Sequence, residues 1–227
     1  LVGPTLPGMI ETFGLSLGQG GFIGAMQNAG GFVGALVALR IADRVSHPTA
    51  AVVSFILLAG AFLGVGLVGS YTLLLLAFAS TGLFIRTLDV MLNAYTGELA
   101  GADSARSMST LHLFFGIGAF AGPIVARVIM TAGVGWSEVF FYVALGYLLV
   151  LVSIMRWLRV YAHVAPPPPR PPVEQSEPGE SAGNDALRSP SSTIAITFLG
   201  GTLFFYAVHQ IGLTSWVPYF LERARGA

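Results

Sequence analysis

Arg86, Asp89 and Asn93 stand inside the run YTLLLLAFASTGLFIRTLDVMLNAYTGEL, from Tyr71 to Leu99. Their i, i+3, i+7 spacing puts them on one face of a helix. The run around them is apolar and long enough to cross a bilayer. A charge at membrane depth costs roughly 2.5–3.5 kcal/mol on insertion scales, so such residues face a protein interior or a water-filled path. Two readings follow. In the first, Asp89 is a proton-coupling group, taking a proton on one side of the membrane and releasing it on the other, with Arg86 as its charged partner. Asn93, with two donors and an acceptor, then contacts a solute hydroxyl. In the second, Arg86 and Asp89 form an internal ion pair that only locks helices together.

Other polar side chains also sit in apolar surroundings. His112 lies in STLHLFFGIGAFAGP. Asp89 is nine residues before Glu98, roughly 13 Å along a helix. His112 is six residues after Arg106, roughly 9 Å. On antiparallel neighbours the two reach comparable depth, which makes His112 a candidate solute ligand or proton carrier. The plainer reading is a histidine satisfied by backbone carbonyls. Gln27 and Asn28, in IGAMQNAGGFVG, are costly in lipid, so at least one faces inward. Gln27 is a candidate solute ligand, with cross-helix hydrogen bonding as the alternative. His209 and Gln210, in FFYAVHQIGLTSWVPYFL, lie mid-run and are candidates for a cavity wall. Trp216 and Tyr219 read as interface anchors and Pro218 as a helix end or kink. In ALRIADRVSHP, Asp43 with Arg40 and Arg44 forms a charge latch or a helix cap, or simply marks topology.

The composition says what must position these groups. Of 227 residues, 54% are hydrophobic and only 10% charged, with mean hydropathy +0.76. Soluble domains carry about 25% charged residues, so this is an integral membrane protein. Its 29 glycines suit packed transmembrane helices. Small-residue spacing at Gly20, Gly24, Gly30, Gly31 and Gly34 indicates close helix contact. The absence of Cys excludes disulfides, thiolate metal sites and a Cys nucleophile. A net charge of zero argues against nucleic acid. All basic residues are Arg, a mark of high-GC coding. HExxH, GxSxG, Walker A and CxxC motifs are absent, so neither an enzyme nor an in-chain ATPase is expected. No cofactor is expected either. The driving force is then a proton or sodium gradient, or the solute's own gradient.

Uncharged runs predict helices near 20–42, 49–69, 72–98, 107–131, 137–160 and 193–221, with the stub of an earlier helix ending near Pro7. The fold class is an all-α membrane bundle. Residues 1–163 form a six-helix bundle with a truncated first helix, 164–192 a linker, and 193–227 the first helix of a second bundle. An opening at Leu1 and a stop at LERARGA fit a fragment cut at both ends. The Pro-run of the linker is expected as extended polyproline II and its acidic Ser/Gly part as disordered. A partner-binding PxxP site is the alternative. Arg40, Arg44, Arg106, Arg156, Arg159, Arg170 and Arg188 cluster at alternate loops, whereas 11–19, 69–71 and 133–135 hold no Arg. The first set is therefore read as cytoplasmic. Arg127 can snorkel from an outer helix end, and Arg223 and Arg225 run against the rule.

These features together resemble the major facilitator superfamily. RIADRV is similar to its Gly-x-Leu-Ala-Asp-Arg-x-Gly loop signature, keeping Ala42, Asp43 and Arg44. Leu39 and Ser46 replace the two glycines, and His47-Pro48 the basic pair. TLDVMLNAYTGEL resembles the fourth helix of fucose permease-like and sodium-dependent glucose transporter-like members, where an acid precedes an Asn by four residues. Asp89 and Asn93 fall on those positions. RSMSTLHLFFGIGAFAGP resembles the fifth helix of that branch, with His112 where a sugar-contacting residue is expected. Gln210 falls on a Glu or Gln position of the seventh helix, and SWVPYF on a Trp-x-Pro pattern. The resemblance implies about twelve helices in two halves that alternate access to a central site. It further implies a sugar-like solute bound by Asn93, His112, Gln210, Gln27 and His209. Asp89 and Arg86 would couple protons, and the loop of Asp43 and Arg44 would gate. The partners are a small solute and the bilayer, the protein is a monomer, and its place is a bacterial plasma membrane. A drug or metabolite exporter, using Phe114, Phe115, Phe204 and Phe205, is the alternative transporter. A membrane sensor docking a partner on 164–192 is the alternative of another class.

Overall fold

A computed structural model describes residues 2–100 and 104–161. The expected linker, the helix at 193–221, and with them Phe204, Phe205, His209 and Gln210, lie outside the described residues. Among the described residues there are six helices: α1 Val2–Phe13, α2 Leu17–Ile41, α3 His47–Leu67, α4 Tyr71–Ala100, α5 Ser104–Thr131 and α6 Trp136–Tyr161. Helices α2 to α6 each contain a stretch long and apolar enough to cross a membrane. Their ends fall within one turn of the boundaries that the uncharged runs predict.

Local chemistry explains the ends. Helix α2 opens on a reciprocal cap: Gln19 N donates to Ser16 Oγ at 3.3 Å, and Ser16 N donates to Gln19 Oε1 at 2.9 Å. This satisfies two otherwise orphaned donors. Helix α3 starts with Pro48 in its first turn, where a missing N–H costs nothing. Helix α1 departs from expectation, because it runs past Pro7 to Phe13. Pro7 has no N–H to give the Gly3 carbonyl. Burial of Leu6 and Met9 outweighs that loss. The helix stops at Gly14, whose φ of 60° only glycine adopts readily. There Leu15 N donates to Ile10 O at 2.9 Å and Gly14 N to Glu11 O at 3.4 Å, closing the end.

Helix α4 is the hub, packed against α2 on one side and α3 on another, with α6 behind α3. Phe62, Phe78 and Phe140, from α3, α4 and α6, are buried together. Phe78 meets Phe140 edge-on at 5.7 Å, and Phe62 stacks on Phe140 at 6.1 Å. Trp136 ties α6 to α1, donating from Nε1 to Thr12 Oγ1 at 2.8 Å. Helix α5 is the least covered, with Leu113, Phe114, Phe115, Ile117 and Phe120 exposed.

The α2–α4 seam decides the site. A Cβ on Gly30 would strike the carbonyl of Ala79, one on Gly34 that of Leu83, and one on Gly82 that of Gln27. The backbones touch because these side chains are absent. Three hydrogen bonds stitch the seam. Tyr71 Oη donates to Gln19 O at 2.9 Å, Gln27 Nε2 to Thr81 Oγ1 at 3.3 Å, and Thr87 Oγ1 to Gly34 O at 3.1 Å. Their sequence separations are 52, 54 and 53, so the helices run parallel and in step.

Candidate functional site

Helix α4 delivers Arg86, Asp89 and Asn93 to one face, as their spacing requires. Arg86 Nη1 donates to Asp89 Oδ2 at 3.0 Å. Asn93 Nδ2 donates to Asp89 Oδ1 at 3.2 Å and to the Asp89 backbone oxygen at 2.9 Å. The carboxylate is therefore held from the turn before it and the turn after it. The Arg86 and Asp89 side chains keep 55% and 38% of their surface.

Asn93 Oδ1 is buried and has no hydrogen-bond partner among the described residues. Leaving a buried carbonyl unpaired costs about 1–3 kcal/mol. With its amide nitrogen committed to Asp89, this oxygen can only wait for a donor.

Gln27 has two roles. Its Nε2 bonds Thr81 across the seam, while its Oε1 accepts no hydrogen bond among the described residues. Asn28 donates from Nδ2 to Gly24 O at 2.8 Å, and its Oδ1 likewise accepts nothing there. Both amides border a concavity of about 460 Å³ between α2 and α4, whose walls include Phe32 and Arg86. Arg86 thus belongs to the pocket and to the carboxylate cluster at once.

His112 is on α5, exposed, and makes no hydrogen bond among the described residues. It shares no hydrogen bond with Asp89 or Asn93. Asp43 and Arg44 are exposed in the turn after α2, and Asp43 has no ion pair among the described residues. A polar contact on that side is His47 Nδ1 with Glu98 Oε1 at 2.9 Å, joining the start of α3 to the end of α4. Sequence reasoning missed this pair, although both residues flank loops at the same arginine-bearing end. It also missed Tyr71, Thr81 and Thr87 as seam donors and acceptors. Their signal is slight, since hydroxyls occur on lipid-facing helices as well.

Arg86, with N–H groups beyond the one on Asp89, and the Gln27 and Asn28 amide oxygens, which accept nothing among the described residues, thus line one concave space. Such a set can both donate to and accept from hydroxyl groups. The family model described as Major Facilitator Superfamily matches residues 1–226. Comparison with curated proteins and with solved structures gives no match.

Proposed function

The chain belongs to the major facilitator superfamily of membrane transporters, and from that membership we propose that it is a proton-coupled secondary transporter of a sugar, of the fucose permease-like branch. The observation that carries the reading is the buried, unpartnered Asn93 Oδ1, one turn from the carboxylate that Arg86 holds. A sugar hydroxyl supplies the donor that this oxygen lacks. Asp89 is the proton acceptor. When it is neutralised, Arg86 loses its charged partner, and its N–H groups become available to solute oxygens. Proton and sugar then favour each other's binding, which is what coupling requires. Gln27 and His112 extend the solute path, and the two halves of the transporter rock around it.

The test is sugar-induced pH change in proteoliposomes holding the complete protein, with Asp89→Asn alongside. Alkalinisation of the outer solution on adding a sugar, absent in the mutant while sugar binding persists, is the expected result. Unchanged proton uptake by Asp89→Asn sinks the coupling role. The exposed Phe114, Phe115 and Phe120 on α5 favour a second reading, an exporter of apolar solutes. Export of hydrophobic cations with no response to any sugar would establish it instead.

A further inference from the structure

We propose that the concavity between α2 and α4 is a ring-binding subsite, in which Phe32 takes the apolar face of a hydroxylated ring while Gln27, Asn28 and Arg86 bond its oxygens. The proposal rests on the sugar reading and extends it to a second helix.

Four observations converge on it. The space, about 460 Å³, lies within the ~300–1,000 Å³ typical of small-molecule sites. Its polar groups are complementary to a polyol: two amide oxygens without donors among the described residues accept from hydroxyls, and the guanidinium, with one nitrogen on Asp89, donates from the rest. Gln27 and Asn28 lie in the middle of α2, roughly 15 Å from its start, where lipid offers no donor to a free amide oxygen. Phe32 follows Asn28 by one turn on the same face and leaves 69% of its surface open. A pyranose offers it a C–H face and offers the amides its rim of hydroxyls.

The subsite is also built to hold its shape. Gly31 and Gly82 form part of its wall. Gly82 is pinned on the Gln27 carbonyl, and the Gln27 side chain is fixed by Thr81. The walls cannot drift apart without breaking the seam. Such preorganisation lowers the ordering cost of binding. Recognition of a flat ring between an aromatic and an amide rim predicts a preference for cyclic sugars over acyclic polyols.

The experiment uses the complete protein in proteoliposomes with glucose, galactose, fucose and the acyclic polyol mannitol as probes. Phe32→Ala and Asn28→Ala are expected to raise KM for the transported sugar about tenfold, with kcat and proton uptake retained. Both side chains are exposed, so the fold should survive their truncation. Because the protein has no cysteine, Ala35→Cys gives a single reporter on the pocket wall. A transported sugar should slow its reaction with a water-soluble thiol reagent at least fivefold, and Val53→Cys on α3 should be unaffected. Mannitol should neither protect nor compete. If sugars drive proton uptake yet leave Ala35→Cys unprotected and KM unchanged in both variants, the subsite is wrong and the transporter reading stands. If no sugar drives proton uptake in the unsubstituted protein, both fall together.

Discussion

Asn93 makes two bonds to Asp89 and leaves one oxygen empty, so truncation should separate stability from function. In Asn93→Ala the lost bonds, about 0.5–1.5 kcal/mol each, are offset by removing an unpaired acceptor costing about 1–3 kcal/mol. Thermal stability in detergent is expected to stay within about 1 kcal/mol of the parent, while KM for sugar rises. A marked fall in melting temperature would instead make Asn93 a structural residue. The residue types and their shared face were legible, because an i, i+3, i+7 spacing fixes a face of a helix. The orphaned oxygen was not, because it depends on which end of the amide turns to Asp89. For His112 the reverse holds. Its depth could be counted at 1.5 Å per residue. Its direction around α5 could not, because that helix carries large apolar residues on several sides.

Helices announce their ends more clearly than their neighbours. Charged residues bounding apolar runs located α2 to α6, since each span must be free of costly charge. Pro7 misled, because α1 continues through it to Phe13 at the loss of one backbone bond. The glycines of α2 signalled close packing, but not which of them make it. Gly30 and Gly34 press on α4, whereas Gly24 has open space beside it. Their partner Gly82 carried no signal of its own in ASTGLF. Gly34→Ala is therefore expected to destabilise by about 1–3 kcal/mol, the usual cost of overpacking, and to lower the yield of folded protein. Gly24→Ala should change stability by less than about 0.5 kcal/mol. Equal effects of the two in a thermal-shift assay would contradict the seam as described.

Among the described residues, five spans alternate in direction. The turn at 42–46, the end of α4 and the start of α5 share one side, and residues 14–16, 68–70 and 132–135 the other. Asp43→Cys and Ser70→Cys, each made in this cysteine-free protein, should react with an impermeant thiol reagent from opposite faces of a sealed vesicle. Reaction of both from one face would break the alternating topology. The order of the spans was readable from the sequence alone, since each short turn forces a reversal. That α2 and α4 lie parallel and touching was not, because their contact is written in missing side chains. That contact also behaves as a keyed shaft. Gly30 and Gly34 sit four residues apart, as do the carbonyls of Ala79 and Leu83 that they receive. A slide shorter than that four-residue spacing, about 6 Å at 1.5 Å per residue, finds no seat. The joint therefore resists creep, and a push on α2 is handed to α4 almost without backlash.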